Sequence, residues 1–379
     1  MQSSSPLKGG DCILSIDEIV NNVLSVSDVE YMALGDLLDY EQPTKYLVKD
    51  TNYSNKYSTP VLTAGKSFIL GYTNETTGIF HASPNDPVII FDDFTTSFKW
   101  VDFDFKVKSS AMKMLRTKDH DAVLLKYIYY AMTMIDYVPQ DHARQWIETY
   151  SQFEIPLCNS EVWGDVVYIL DMLSSLTDKL HDESELRKKQ LDYYRDAIIS
   201  SYCSDDDECS IKDAANLKTG QRVTKTQISV SGTYPVMSGG VTPMGYYSDY
   251  NQDENTVTVV RYGTAGFVNW IDQKFWANDV CYILSPKQGV LPRYLFHEVK
   301  SKEKELISLK TDAIPAHLER EKLLDVTIRI PSVPIQQEII EKIDSLYKLI
   351  DCIDRELSLR NKQLQYYKKL IYSFAGGSI

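Results

Sequence analysis

Apolar positions recur in alternating steps of four and three along the end of the chain. Ile339, Ile343, Leu346, Ile350, Ile353, Leu357, Arg360, Leu364, Tyr367, Ile371 and Phe374 trace the line. This spacing is the seam of a helix packed lengthwise on another helix. A second line runs through Val166, Leu170, Leu173, Thr177, Leu180, Ser184, Arg187, Leu191, Tyr194 and Ile198. It keeps the same steps and weakens at Thr177 and Ser184. Asn159 or Ser160 can cap the first helix; Ser332 can cap the second, with Pro334 in its opening turn. Each helix covers about 40 residues, hence about 60 Å at 1.5 Å per residue.

The two helices are written in nearly the same letters. LRKKQLDYYRDAIIS (186–200) and LRNKQLQYYKKLIYS (359–373) agree at 9 of 15 places, 173 residues apart. The likeness extends upstream. FEIP (153–156) and IRIP (328–331) precede the helices. YSTPVLTAG (57–65) answers GTYPVMSGG (232–240), setting Pro60 against Pro235 and Gly65 against Gly240. FKW (98–100) answers FVNW (267–270). A globular segment, a proline and a long helix thus follow one another twice.

Within the globular segments, alternation and apolar runs predict strands at 88–91, 99–107, 256–263, 267–271 and 280–284. Helices are predicted at 122–132 and 292–309. The expected class is α+β: two globular domains separated by two long antiparallel helices forming a coiled coil, with a pseudo-twofold internal repeat. The boundaries drawn are 1–28, a segment without an assigned role; 29–157 and 204–331, the globular domains; 158–203 and 332–379, the long helices. Leu170, Leu173, Leu180, Leu191 and Tyr194 are expected to pair with Ile343, Leu346, Ile350, Leu357, Leu364 and Tyr367. The rival arrangement makes these core helices of one compact domain. Their length without a glycine or proline break after Gly164 speaks against it.

Composition narrows the class. No apolar run approaches the roughly 20 residues that span a bilayer. The first residues lack the charged start and apolar core of a signal peptide. Cysteines 12, 158, 203, 209, 281 and 352 form no CxxC pair and read as reduced thiols of a cytoplasmic protein. The net charge is −13, which by itself argues against nucleic acid. Locally the balance reverses. Residues 214–247 contain no acid, while Lys218, Arg222 and Lys225 supply positive charge. On charge alone that stretch reads first as a solvated polar loop.

Two copies of a globular reader on a stiff ruler point to a bipartite linear target. On duplex DNA, a ruler of this length separates two contacts by roughly 17 base pairs at most. In the second half the candidate turns are 217–227, 238–240 and 261–266. There Arg222 and Arg261 can fork onto guanine or phosphate, Lys218 and Lys225 suit phosphate, and Ser238 and Tyr262 lie alongside. In the first half, Lys66 and Lys99 can take phosphates, and Thr95, Thr96 and Ser97 base edges. Each residue taken singly is equally a surface-turn residue; only the repeated placement lifts them together.

Enzyme patterns are weaker. DFK at 104–106 loosely fits the carboxylate-x-lysine arrangement of metal-dependent nucleases, yet a period-two strand writes the same letters. RYGTAG lacks the lysine and helix start of a phosphate loop. The six histidines show no metal-ligand spacing, and a Cys203/Cys209 site lacks further ligands.

The chain resembles the specificity subunits of type I restriction–modification enzymes from about Val29 to Phe374. The likeness rests on IPLC, IPSVPIQQEIIEKID, the LRxKQLxYY pair, VIIFDDFTTSFKWVDFDFKVKSS and RYGTAGFVNWIDQKFWANDVCYIL. The resemblance implies two target-recognition domains, each reading one half of a split double-stranded DNA sequence. It implies helices that set the gap and dock two modification (methyltransferase) subunits carrying S-adenosylmethionine. Restriction/translocase subunits would add ATP- and Mg-dependent translocation and cleavage. The chain itself would be non-catalytic, with no cofactor of its own and no membrane contact. Two other readings stay open: a stand-alone metal-dependent nuclease built on DFK, and a coiled-coil scaffold that binds no DNA.

Overall fold

The computed structural model describes residues 29–65, 67–139 and 143–372, with residues 16, 18, 20 and 21 before them. The chain divides into two compact units, Met1–Lys179 with Leu357–Ile379, and Leu180–Glu356. Each unit holds one globular head and part of each long helix.

In the first unit the chain forms β1 (Glu30–Ala33), a single helical turn Leu34–Leu37, β2 (Leu38–Glu41), β3 (Thr59–Leu62), β4 (Ile69–Thr73), β5 (Val88–Asp92), β6 (Phe98–Val101), β7 (Lys106–Val107) and β8 (Met112–Thr117). Helix α1 (Ala122–Met132), β9 (Glu154–Leu157) and the long helix α2 (Trp163–Tyr202) follow. The strands make a four-stranded sheet β2-β8-β5-β6, a three-stranded sheet β4-β3-β7, and the pair β1-β9. Strand β5 shows why its sequence is an unbroken apolar run: both of its faces are covered. Ile89 and Phe91 join the core containing Leu125 and Ile128 of α1. Val88 and Ile90 join Leu62 and Val107 of the smaller sheet. Helix α1 begins where Asp121 accepts the amide hydrogens of Val123 (2.8 Å) and Leu124 (3.0 Å).

The second unit repeats this strand for strand. It contains β10 (Glu208–Ser210), a turn of helix Ile211–Ala214, β11 (Ala215–Thr219), β12 (Tyr234–Met237), β13 (Gly245–Tyr247), β14 (Thr256–Val260), β15 (Val268–Ile271), β16 (Trp276–Ala277) and β17 (Cys281–Pro286). Then come α3 (Pro292–Ser301), β18 (Thr327–Arg329) and the long helix α4 (Val333–Tyr372). The sheets are β11-β17-β14-β15, β13-β12-β16 and β10-β18, the same orders again. Pro60 opposes Tyr72, and Pro235 opposes Tyr246. Trp100 opposes Ile89, and Trp270 opposes Val257.

Three expectations are corrected. The FEIP and IRIP segments are out of step by two residues. The Leu34 amide donates to the Phe153 carbonyl as the Ile211 amide does to that of Val326, so Phe153 answers Val326 and Ile155 answers Ile328. The strand expected at 99–107 breaks. Asp104 turns aside to His81 Nδ1 (2.9 Å) and the Ala82 amide (3.3 Å), which carries Lys106 and Val107 into the other sheet. The helix expected at 292–309 is interrupted at Lys302 and resumes at Glu303.

The long helices pair within each unit. In the second, Arg195 Nη2 donates to the Tyr347 hydroxyl (2.9 Å) and the Tyr202 hydroxyl to Glu338 (2.6 Å), while Ser184 donates to Asp354. Partners on α4 fall in number as those on α2 rise, so the pairing is antiparallel. Leu191, Ile339, Ile343 and Ile350 form the core there, with Leu346 at its edge. In the first unit Leu170, Leu173, Leu364, Tyr367 and Ile371 share one core with α1. Leu180 and Leu357 are half-buried, and Phe374 lies outside the described residues. Tyr194 departs from the expected line: it stands 45% exposed, and Arg195 takes the covered place at 3%. The seam on α2 steps by four from Leu191 to Arg195 to Ile199, because the Arg195 guanidinium lies 5.9 Å from the Tyr347 ring and donates to its hydroxyl. Among the described helices, none is long and apolar enough to cross a membrane.

In each unit a carboxylate of a long helix binds the head. In the second unit Asp344 takes Arg293 through Nη2 (2.8 Å) and Nε (2.9 Å), and His297 Nε2 (2.9 Å). In the first, Asp171 takes Lys126 (3.3 Å) and the Tyr130 hydroxyl. Both cations lie over a β6-type tryptophan, Lys126 at 4.1 Å from Trp100 and Arg293 at 4.8 Å from Trp270. Two tyrosines complete the likeness: Tyr127 donates to the Pro156 carbonyl and Tyr294 to that of Arg329. The helix starts are tied down by a matching pair, Trp163 Nε1 to the Cys158 carbonyl and Gln336 Nε2 to the Pro331 carbonyl.

Charges at the second joint are strongly biased. Burial holds His297 neutral, down to about 4, against the upward pull of Asp344. Burial pushes Asp344 up, but the hydrogen bonds and charges of His297 and Arg293 outweigh it and hold the carboxyl at about 2. Glu298, also buried, is pushed up to about 7 by desolvation, against the Arg329 amide and the Lys302 and Arg329 charges. One of its carboxylate oxygens has no hydrogen-bond partner among the described residues.

Two outcomes follow from this packing. Ile350→Glu places an unpaired charge in the seam and should cost several kcal/mol, about 3 or more, whereas Tyr194→Ala should cost less than about 1. Urea denaturation of the two variants measures the contrast. A raised carboxyl pKa favours the folded state at low pH, and that contribution fades as pH rises from the unfolded value through about 7. Glu298→Gln should therefore gain stability relative to the parent between pH 5 and pH 8, by up to about 3 kcal/mol. Melts at the two pH values check the sign.

Candidate nucleic-acid interface

The turn after β5 carries Thr95, Thr96 and Ser97, and its counterpart after β14 carries Arg261 and Tyr262. In the first unit Asp92 accepts the amides of Phe94 (3.0 Å) and Thr95 (2.9 Å) and the Thr95 hydroxyl (3.1 Å). Thr96 has φ +56°. It is buried, and its hydroxyl spends its hydrogen on the Thr95 carbonyl (2.7 Å), so it serves the turn. Thr95 is exposed, Ser97 and Lys99 are half-buried, and Lys66 lies outside the described residues. Next to them Asp93 is fully buried. It accepts the Trp146 amide (2.8 Å) and sits 3.2 Å from the equally buried Lys113, close enough for charge pairing without hydrogen-bond geometry.

Arg261 occupies the place of Asp93. Its amide donates to the Val280 carbonyl as that of Asp93 does to Ala111. Its carbonyl accepts from Leu318 as that of Asp93 does from Gln145. The side chains differ in kind. The Arg261 guanidinium lies 4.9 Å from the Tyr262 ring and 5.5 Å from the Tyr282 ring. Tyr282 holds the position of Lys113 on the neighbouring strand. Tyr262 stacks on His317 at 5.2 Å. No carboxylate pairs with Arg261 among the described residues, and its Nε is buried without a hydrogen-bond partner. The cation is held by aromatic faces.

Close backbone contacts gather the other loops around it. Gly263 has φ +92°, and a Cβ there would come 2.4 Å from the Gly239 carbonyl oxygen. The Thr264 amide donates to that same oxygen (2.9 Å), which docks the 238–240 turn against Tyr262. Asn278, absent from the sequence candidates, is the knot. Its buried side chain accepts the Val223 amide (3.2 Å) and reaches the Val223 carbonyl and Ser238 Oγ (both 3.4 Å). Arg222, Lys225, Ser238, Arg261 and Tyr262 are thus brought to one set of touching loops. Arg222 and Lys225 are exposed, the other three half-buried. Lys218 stands apart, exposed on strand β11 at the edge of the sheet. A lone polar Asn between strands carries no periodic signal and no motif.

The nuclease reading loses its lysine. Lys106 is buried, and its amine is spent on the Thr77 carbonyl (2.7 Å), the Gly78 carbonyl (3.0 Å) and Glu75 (3.0 Å). No group of acids, histidines or cysteines able to hold a metal occurs among the described residues. A second feature outside the sequence candidates lies on the long helices. Leu186 (50% exposed) and Tyr193 (70%) have repeat partners in Leu359 (60%) and Tyr366 (62%). All four turn away from the seam.

Comparison with known proteins places the chain. The family described as type I restriction modification DNA specificity domain matches residues 204–359. A putative type I specificity subunit of Mycoplasma pneumoniae is 25% identical over 240 residues, covering 59% of this chain and 94% of that protein. The crystal structure of a type I restriction–modification S subunit from M. genitalium superposes with a TM-score of 0.65 at 15% identity, over 91% of this chain and 96% of that one. The type I restriction enzyme EcoR124I/EcoR124II specificity subunit of Escherichia coli is 38% identical over 391 residues, covering 94% of this chain and 96% of that protein. On a likeness that runs through both heads and both helices, the chain belongs to the type I restriction enzyme specificity subunits.

Proposed function

We propose that this chain is the DNA-reading, non-catalytic subunit of a type I restriction–modification complex, each head reading one half of a bipartite sequence. Its partners are DNA and the other subunits of the system. The observation that carries the reading is the doubled head, with the same strand orders twice but different side chains at the same turn. Two unlike half-sites need one scaffold and two sets of contacts. In the second head the uncommitted cation Arg261, with Arg222 and Lys225 on adjoining loops, supplies charge for guanine edges and phosphates. The long helices then set the spacing between the half-sites.

The helices also serve assembly. Leu186 with Tyr193, and Leu359 with Tyr366, are exposed apolar pairs repeated in sequence. Repetition of the same residues suits two copies of one partner, here two modification subunits. Restriction subunits join through that assembly.

Methylation sequencing of a genome carrying the system, with parent or Arg261→Ala chain, tests the reading. The variant should lose or relax one half of the methylated motif, with a cost of about 1–3 kcal/mol at one position, and leave the other half unchanged. A motif untouched in both halves would remove Arg261 from the contact set. For assembly, Leu359→Asp with Tyr366→Ser should yield complexes bearing one modification subunit instead of two, seen as the loss of one subunit mass in native mass spectrometry.

A further inference from the structure

We infer that Lys49 and Arg222 are one contact made twice, a cation on each head that takes a phosphate of the half-site which that head reads. The inference rests on the DNA-reading function proposed above. It assigns a site to Lys49, which no sequence pattern marks, and gives Arg222 the phosphate rather than the guanine edge.

The two residues hold the same place in a loop of each head. The Val48 amide donates to the Val107 carbonyl (2.9 Å), and the Gln221 amide to the Ala277 carbonyl (2.9 Å). Val107 and Ala277 answer each other, because Leu62 pairs in parallel with the one as Met237 does with the other. Farther along, the Ser54 amide donates to the Tyr72 carbonyl (3.0 Å), and the Ser229 amide to the Tyr246 carbonyl (2.9 Å). Those two tyrosines face Pro60 and Pro235. Each loop is thus hooked to its small sheet at both ends, and the residue just past the first hook is Lys49 or Arg222. A side chain then captures the backbone beside the cation. Glu75, itself paired with the buried Lys106 (3.0 Å), accepts the amides of Lys49 (2.7 Å) and Asp50 (2.9 Å). Asn278 accepts that of Val223 (3.2 Å). The backbone is held while both cations stand exposed, with no ion pair among the described residues.

What the loops share and what they do not separates two kinds of contact. Between the hooks the first loop reads VKDTNYS (48–54) and the second QRVTKTQIS (221–229), two residues longer. The cation at the second position is common to both. Two unlike half-sites differ in their base edges and have the phosphate backbone in common. A charge kept in both heads therefore suits the backbone, and a charge that changes suits the bases. Arg261 and Asp93 are of the changing kind. Lysine and arginine both pair with phosphate, the one as a point charge and the other as a fork, so their exchange keeps the contact. Other cations that align between the heads are in use. Lys126 and Arg293 are bound at the joints. Lys118 aligns with Lys287, but Lys287 spends its amine on the Lys212 carbonyl (2.7 Å). Placement agrees with the role, since Asn278 ties the Arg222 loop to the 238–240 turn beside Arg261.

The test uses the chain assembled with its modification subunits. The probe is a fluorescent duplex carrying the motif that methylation sequencing assigns to the parent complex, titrated over a range of salt concentrations. Lys49→Ala and Arg222→Ala should each weaken binding on the order of tenfold at about 0.1 M salt and flatten the slope of log affinity against log salt by about one. Both halves of the methylated motif and the mass of the complex should stay as in the parent. Lys49→Arg and Arg222→Lys, which keep the charge, should bind as the parent does. Parent-like affinity and slope in the alanine variants would overturn the assignment. A motif relaxed in one half would overturn it too, making that residue a base contact, as would loss of a modification subunit, making it a protein contact. Failure of the parent complex itself to bind the duplex would instead overturn the DNA-reading function.

Discussion

A carboxylate on each long helix, Asp344 or Asp171, takes a cation and a second donor from the head of its own unit. The rest of each unit depends on that joint. The cation is Arg293 or Lys126, and it is sandwiched against the tryptophan of the outer strand, Trp270 or Trp100. One residue therefore couples the sheet that bears the reading turns to the helix that bears the seam. Around it the apolar packing is continuous: Leu125 and Ile128 of α1 share a core with Leu170 and Tyr367 of the long helices. A head built this way cannot swivel on its helix without breaking a charge-assisted hydrogen bond and opening a core. For a protein that reads a split sequence, that rigidity is the functional quantity. In the function proposed above, the position of a candidate turn relative to its helix sets which base it would meet.

The two joints use different chemistry for one task. His297 fills the role of the Tyr130 hydroxyl, and arginine the role of lysine. At the second joint His297 is kept neutral by burial and Asp344 is held ionised by its partners. The same substitution of kind appears at the reading turn. Asp93 and Lys113 neutralise each other in the dry interior of the first head. In the second, Arg261 lies on tyrosine faces and stays uncommitted. The backbone hydrogen bonds around both positions are the same. A fold that keeps its main-chain bonds while exchanging a buried ion pair for an aromatic-cradled cation can acquire a new specificity without a new scaffold.

Much of this was legible in the chain. The heptad line found both long helices because lengthwise packing imposes a period that no local preference hides. The internal repeat found the doubled head, and paired Pro60 with Pro235 and Trp100 with Trp270 as the strand registers do. Failures came where a tertiary contact outweighed the local pattern. Phe103 and Phe105 alternate with acids as a strand would, yet Asp104 binding to His81 turns the chain between two sheets. Tyr194 lies on the heptad line, yet Arg195 wins the covered site through Tyr347. The candidate turns were found by glycine and charge. Asn278 was not, since a single amide that ties three loops leaves no period and no motif. Thr96 looked like a reading hydroxyl only because its positive φ and its bond to Thr95 are invisible in the letters.

The acidity of the chain bears on how it reads DNA. A protein with 53 acids and 40 bases cannot grip a duplex through net attraction. Affinity from many phosphate contacts and selectivity from a few placed groups are separable, and only the second belongs to a reading head. A cation meant for placement gains from being held, because a mobile surface lysine or arginine loses rotamer freedom when it binds. Tyr262 and Tyr282 hold the Arg261 guanidinium in advance, and His317 backs Tyr262. A carboxylate in their place would hold it as firmly but would cancel the charge and occupy the fork. Aromatic support gives position and leaves the guanidinium charge without a carboxylate beside it.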